Sequence, residues 1–473
     1  MHDPVADEGD HLTNILDAAA DQHEEARSRG ETKLPEFTEN AVARRFARHA
    51  HGMLAYNHSA RCWYVWTGAI WSIDRVNAAT EQIRLFVEAE RESAIDPRER
   101  AAMAKVRFVF SVEEISRSDP LLAVDQSKLD TDPWLLGTPD GVVDLRTGDI
   151  QQGRQSDLIT RQTAIAPAAS GTVAPEWQRF LQEATEGDCE LQGFLQRWAG
   201  YCLSGDVSEE VLAFIYGAGG NGKGVYVGTI SAIMGTYAVS QPMEAFTVGA
   251  RLPAEYYRAQ MAGARLVTAS ETESGRIWAE SQIKELSGNE APVSARHPHG
   301  RPFSYRPQFK LQFVGNHAPR LKGRSSAMER RLRIVPFVHK PTNPDLGLKD
   351  HLKQEYPAIL RWIIDGCLIR QRQRLGTATA IQQASENYFE QQDAFGRWLE
   401  ERCILGVMRS ARPSELYANY RAWCQENGEV ALTSPEFAEV RDRTPGLILK
   451  TRNGARWVIG VDFRAAPDTR YGE

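Results

Sequence analysis

The stretch "FIYGAGGNGKG", residues 214–224, limits what this chain can fold into more than any other. An apolar run leads into glycines and one lysine, and the helix-like "VYVGTISAIMG" follows. Gly217, Gly222 and Lys223 fall in the frame G-x-x-x-x-G-K. Strand, glycine loop and helix is the setting in which backbone N–H groups and a helix N-terminus cradle phosphate oxygens. Glycine permits the tight curl this needs. Gly217, Ala218, Gly219, Gly220, Asn221, Gly222, Lys223, Gly224 and Val225 are therefore the expected nucleotide-binding set, with Lys223 reaching the β- and γ-phosphates. The eighth position usually carries a Ser or Thr whose hydroxyl ligates Mg2+. Gly224 stands there, and Val225 offers no hydroxyl either. Mg2+ keeps several waters in such sites, so a water can replace the hydroxyl. The departure bears on metal affinity more than on nucleotide binding.

At 473 residues the chain is too long for one ordinary core. Apolar residues make up 42% and charged residues 25%, which is globular composition. The net charge of −6 means that binding to nucleic acid requires locally concentrated cations. Six scattered cysteines form no CxxC pair, which argues against a zinc site or disulfide framework and fits a reducing cytoplasm. The acidic "MHDPVADEGD" has no apolar core, so no signal peptide is expected, and no run reaches the roughly 18 apolar residues of a membrane span.

The texture of the chain predicts an α/β fold in six parts: an acidic flexible arm (1–38), a mixed α+β domain (39–170), a helical segment (171–209), an α/β core with a parallel sheet (210–345), a helical segment (346–390) and a C-terminal domain (391–473). In the second part, Thr67-Gly68 and Asp140-Gly141 read as turns between short strands. In the core, strand-like and helical runs alternate. The last part reads as helices followed by the hairpin "LILKTRNGARWVIG", with Asn453-Gly454 at its turn.

Three further constellations follow the glycine loop. "ARLVTASETE" reads as a buried strand ending in Glu271 and Glu273; one acid can hold Mg2+ while the other orients an attacking water. "FKLQFVGNHAPRL" is a second apolar strand with a polar end, Asn316, able to hydrogen-bond a γ-phosphate or the water. "AMERRLRIVPF" brings Arg330, Arg331 and Arg333 to the start of a third. One of them can act as an arginine finger on a neighbouring subunit's nucleotide. Taken singly, each has a blander reading: a solvated turn, a turn-forming Asn, a basic surface. Their order within about 120 residues argues against that.

Together, "YGAGGNGKG", "RLVTASETE", "IKELSGNEAPVSAR", "FKLQFVGNHAPRLKG" and "ERRLRIVPF" resemble the superfamily 3 helicases, a branch of the AAA+ ATPases. More closely, the chain is similar to the helicase part of phage and plasmid primase–helicases and the related poxvirus primase–helicase. "LLGTPDGVVDLRTGDI" and "FLQRWAGYCLSGD" resemble the domain that precedes the ATPase there, and "SELYANYRAWCQENG" more weakly resembles a C-terminal winged-helix-like domain.

The resemblance implies roles. Lys223 and its loop bind ATP; Glu271 and Glu273 stand at the Mg2+ and water-activating positions; Asn316 is the sensor; Arg331 aligns with the finger in trans, and Arg330 is the alternate. It also implies a hairpin over "APVSARHPHGRPFSYRP" that projects into a ring channel, with Arg296, His297, His299 and Arg301 at its tip and Lys284 on the helix before it as DNA contacts. Lys450, Arg452 and Arg456 are expected to lay cations along DNA from the C-terminal hairpin. The implied protein is an ATP- and Mg2+-dependent DNA helicase in the cytoplasm of a bacterial host. It acts on single-stranded and forked DNA as a homo-oligomer, a hexamer by resemblance, with no membrane. Primer synthesis is not expected in this polypeptide, which points to a separate primase as partner. An initiator or loader, in which nucleotide drives only assembly, is the alternative. A small-molecule kinase is a third reading, against which the missing hydroxyl and the arginine series argue.

Overall fold

The computed structural model describes residues 37–271, 275–288, 291–298, 300, 302–321, 325–342, 344–429, 431–452 and 454–464. Residues 1–36 of the expected arm lie outside these, as do Glu273, His299, Arg301 and Asn453. The chain divides into two compact units: residues up to Pro167 together with Met234–Tyr237, and Ala168–Ile233 together with residues from Ala238 onward.

In the first unit, α1 (Glu39–Ala50) starts at Thr38, whose Oγ1 accepts the Ala41 N–H at 3.3 Å. Its arginines face outward while Val42, Phe46, Ala47 and Ala50 are buried at helical spacing. Strands β1 (Leu54–Asn57), β2 (Cys62–Trp66) and β3 (Trp71–Ile73) form an antiparallel meander. The expected Thr67-Gly68 turn joins β2 to β3, closed by Thr67 N–H to Ile70 O at 2.9 Å. Helices α2 (Ala78–Ser93), α3 (Pro97–Met103) and α4 (Val106–Ser116) follow, and then β4 (Ala123–Val124), which pairs parallel to β1. A second antiparallel sheet holds β5 (Leu135–Thr138), β6 (Gly141–Asp144) and β7 (Asp149–Gln151); the turn between the first two is Pro139-Asp140, one residue before the expected pair, because Gly141 already pairs with Thr138 as the first residue of β6.

The second unit opens with α5 (Pro175–Ala184) and α6 (Cys189–Leu203), the latter capped by Asp188, whose carboxylate accepts the Leu191 N–H at 3.0 Å. Its centre is a five-stranded parallel sheet of β8 (Leu212–Tyr216), β9 (Ala238–Ser240), β10 (Leu266–Glu271), β13 (Lys310–Gly315) and β14 (Leu332–Pro336), in the order β14-β8-β13-β10-β9. A parallel sheet covered on both faces reads as continuous apolar runs. Accordingly Leu212, Ala213, Phe214 and Ile215 of β8 are fully buried. Phe214 and Phe313 sit on adjacent central strands, and truncating either to alanine would cost about 3–5 kcal/mol. Helix α7 (Lys223–Met234) follows β8, and α8 (Ala254–Met261) and α9 (Glu280–Ser287) flank β10 in sequence. Between β10 and β13, β11 (Val293–Arg296) and β12 (Pro302–Tyr305) pair as a separate antiparallel hairpin.

Helix α10 (Ser326–Arg331) leads into β14, and α11 (Leu348–Gln354), α12 (Tyr356–Gln373) and α13 (Thr379–Gln392) come after it. Tyr388 and Phe389 of α13 join the core on which the sheet packs. The C-terminal part has a core of its own, built by Trp398, Leu416, Tyr420, Trp423, Phe437, Val458 and Val461. Helices α14 (Ala394–Arg402), α15 (Pro413–Glu426) and α16 (Ser434–Arg443) cover a three-stranded sheet of β15 (Cys403–Ala411), β16 (Ile448–Arg452) and β17 (Ala455–Phe463), in the order β15-β17-β16. No described helix is long and apolar enough to cross a membrane.

Candidate functional site

The parallel sheet fixes the site by its register. Tyr216, the last residue of β8, pairs with Gly315 at the end of β13, and Gly315 pairs with Glu271 at the end of β10. On the other side Tyr216 pairs with Pro336 of β14. The glycine loop, Asn316 and Glu271 therefore leave the sheet along one carboxyl edge. The chain runs from β8 to the far edge of the sheet and returns to lie on both sides of β8. Ligands of open α/β sheets bind outside the carboxyl ends of the strands at such a reversal.

Lys223 is the first residue of α7 and is only 7% exposed. Its ammonium donates to the carbonyls of Gly217 and Ala218 (2.8 Å to the latter), to Asn221 Oδ1 at 3.0 Å and to Asn316 Oδ1 at 3.2 Å. Burial pushes it below the usual lysine range. Two motifs 93 residues apart in sequence thus meet at one amine. Asn221 holds the loop from outside, donating through Nδ2 to the carbonyl of Phe337, just past β14.

The loop geometry requires its glycines. Gly217 has φ +150°, and a Cβ there would lie 1.9 Å from Phe337 O; at Gly222, φ +84°, it would lie 2.9 Å from the Phe180 ring. A Cβ at Gly219 or Gly224 would meet no atom within 4 Å among the described residues beyond its chain neighbours. The cradle fits a polyphosphate: turned backbone, a helix N-terminus and an amine at its mouth. Packing does not force the missing hydroxyl at Gly224. The donors described for Mg2+ are few. Asn316 Oδ1 is engaged by Lys223, and among the described residues no group of three or more His, Cys, Asp or Glu side chains could hold a metal. The backbone of Glu271 lies on the right edge, two strands from Tyr216 or about 10 Å.

Arg331 lies elsewhere. It precedes Leu332, which pairs with Leu212 at the amino end of β8, so the length of β14, about 13–16 Å, separates it from the glycine loop. Its Nη2 donates to Glu210 Oε2 at 2.8 Å, and its side chain is 12% exposed. Arg330 is exposed and makes no ion pair among the described residues. Arg333 donates to the carbonyl of Arg330 at 2.9 Å, and burial lowers its pKa.

Among the described residues, the other expected ones contact partners outside the loop. Arg296 ends β11, with Nε donating to Gly300 O at 3.1 Å, and the His297 ring stacks on Phe303 at 5.4 Å between centroids. Lys284 on α9 faces Glu280 at 3.9 Å. Lys450, Arg452 and Arg456 are exposed on β16 and β17, with Lys450 paired to Trp457 and Arg412 lying over the Trp457 ring at 5.1 Å. Sequence reasoning missed Glu210 as the partner of Arg331 and the grip of Asn221 on Phe337. Both are contacts between distant segments, and no local pattern marks them.

Comparison with known proteins adds a relationship to this geometry. Residues 43–186 match the family described as "D5 N terminal like", and residues 215–331 match a "Family of unknown function (DUF5906)". The chain is 24% identical over 301 residues to "Putative helicase L207/L206" of Acanthamoeba polyphaga mimivirus, covering 60% of this chain and 31% of that protein. It is 24% identical over 384 residues to "Putative helicase 022R" of Frog virus 3, covering 63% and 39%. It thus spans about a third of the length of these curated relatives. Among solved structures, the apo structure of the NrS-1 C terminal region superposes with a TM-score of 0.52 at 8% identity, covering 90% of this chain and 100% of that one. At that identity the likeness shows the fold alone. The matches are thus to proteins named as putative helicases and, over residues 43–186, to a D5 N-terminal-like family model.

Proposed function

We propose that this chain is an ATP-driven, ring-forming DNA helicase of superfamily 3 that serves replication of a phage, plasmid or integrated mobile element in its bacterial host. The observation that carries the reading is the contact of Lys223 with Asn316 at the carboxyl edge of a parallel sheet. A phosphate-loop lysine and a sensor amide share one point there, within reach of a γ-phosphate held in the loop. In this reading the unit around that sheet is an AAA+ core. Lys223 stabilises charge on the γ-phosphate, Asn316 orients the attacking water, and Glu271 and Glu273 are the residues that would hold Mg2+, whose chemistry when bound is to neutralise charge on the phosphate oxygens. Arg331, or Arg330 beside it, serves a neighbour's nucleotide, because its own lies at the other end of β14. That requirement supports a ring.

DNA is engaged at two places. The β11–β12 hairpin presents Arg296 and His297, with His299 and Arg301 in the same tip sequence. The C-terminal domain, winged-helix-like in this reading, presents Lys450, Arg452 and Arg456. Converting these last three to alanine in the full chain is expected to lower affinity for forked DNA and to flatten its salt dependence by roughly 0.9 in log–log slope per lost phosphate contact. An unchanged slope would make the sheet a structural cap.

The alternative is an initiator or loader whose nucleotide drives assembly only. Steady-state ATP hydrolysis with and without single-stranded DNA separates the two. The helicase reading expects strong stimulation, whereas nucleotide binding with no stimulated turnover would favour the loader.

A further inference from the structure

The segment after β14 is fastened across the mouth of the phosphate loop. Phe337 N–H donates to Tyr216 O at 2.7 Å, and Phe337 O accepts from Asn221 Nδ2. Two residues on, His339 Nδ1 lies 3.1 Å from Glu186 Oε1, beyond the end of α5. Held at both points, the strap sets Lys340 over the loop: its Cε lies 3.4 Å from the place a Cβ would take on Gly220, the residue at φ +80° where the loop curls. The ammonium is one bond further out. Lys340 is exposed and makes no hydrogen bond or ion pair among the described residues. Among the described residues, Asn221 next in the chain aside, no other side-chain atom lies within 4 Å of that Gly220 position.

We propose that Lys340 is a second phosphate-binding cation of the nucleotide site, closing on the polyphosphate from the strap while Lys223 holds it from the helix. The inference rests on the phosphate-loop reading and deepens it. A lysine on a short, doubly anchored segment next to a glycine cradle has its backbone already placed, so only its side chain need order to meet an anion.

The test is the affinity of the full-length protein for fluorescent ATP, ADP and AMP analogues, measured with EDTA present and again with Mg2+. Lys340→Ala is expected to weaken ATP and ADP binding about tenfold, the size of one charge-assisted contact, and to leave AMP binding nearly unchanged. Lys340→Arg should retain most of the affinity. A purely structural role would move all three nucleotides together and lower the melting temperature. Equal ATP affinity in wild type and Lys340→Ala would overturn the proposal while leaving Lys223 in place, provided Lys223→Ala loses binding in the same assay. A wild-type protein that binds none of the three would remove the phosphate-loop reading, and this proposal with it.

Discussion

Replacing Lys223 with alanine is expected to abolish ATP hydrolysis while leaving the fold intact. The amine sits where the loop, α7 and Asn316 converge, and its four acceptors are Gly217 O, Ala218 O, Asn221 Oδ1 and Asn316 Oδ1. Two of those are loop carbonyls, so a γ-phosphate arriving in the cradle takes over donors already aimed inward. Charge that develops on the transferring phosphoryl group then meets a cation that needs no reorganisation. Removing one preorganised donor of this type costs at least roughly a hundredfold in rate. The alanine side chain fits any helical first turn, so melting should change little. Wild-type-like turnover in this variant would remove the assignment of the loop.

Arg331→Ala is expected to bind ATP and fail to turn it over, with a loss of roughly 10³–10⁵ in rate, the size reported for arginine fingers as a class. The argument is positional. Arg331 lies at the amino end of β14 and the loop departs from the carboxyl end of β8, so no side-chain rotation brings the guanidinium to its own nucleotide. A subunit boundary would have to take Arg331 away from Glu210, whose carboxylate is 37% exposed and stays solvated when released. Mixing Arg331→Ala with Lys223→Ala should restore part of the activity, since each subunit supplies what the other lacks. Rescue by Arg330→Ala but not by Arg331→Ala would move the finger one residue. A mixture as inactive as its components would count against a shared site.

The sequence made the carboxyl edge that carries the glycine loop legible because its signals are local. Three apolar runs, each ending in a characteristic polar group, can only bring Lys223, Asn316 and Glu271 to one edge if the strands run parallel, and they do. The turn at Thr67-Gly68 was readable for the same reason, as was the turn at Asp140 to within one residue and the hairpin that pairs Lys450 with Trp457. Pairing between distant segments carried no such signal. Nothing near Glu210 marks it as the partner of Arg331, 121 residues on, and nothing in "VHKP" marks Lys340 as a neighbour of Gly220. The stretch Met234–Tyr237, at and just past the end of the helix-like run "VYVGTISAIMG", belongs to the first compact unit. There Tyr237 Oη accepts the Gly137 N–H at 3.0 Å and Thr236 N–H donates to Gln162 O at 3.0 Å. Such contacts depend on where the whole chain goes, which periodicity and spacing do not encode.

Helicase action is tested most directly by strand displacement from a forked duplex by the full-length protein with ATP and Mg2+. Displacement should require hydrolysable nucleotide, rise with protein concentration more steeply than in proportion as rings form, and vanish in Lys223→Ala. Stimulated ATP hydrolysis on the same fork with no strand released would contradict the helicase reading and leave a DNA-dependent ATPase that assembles without unwinding.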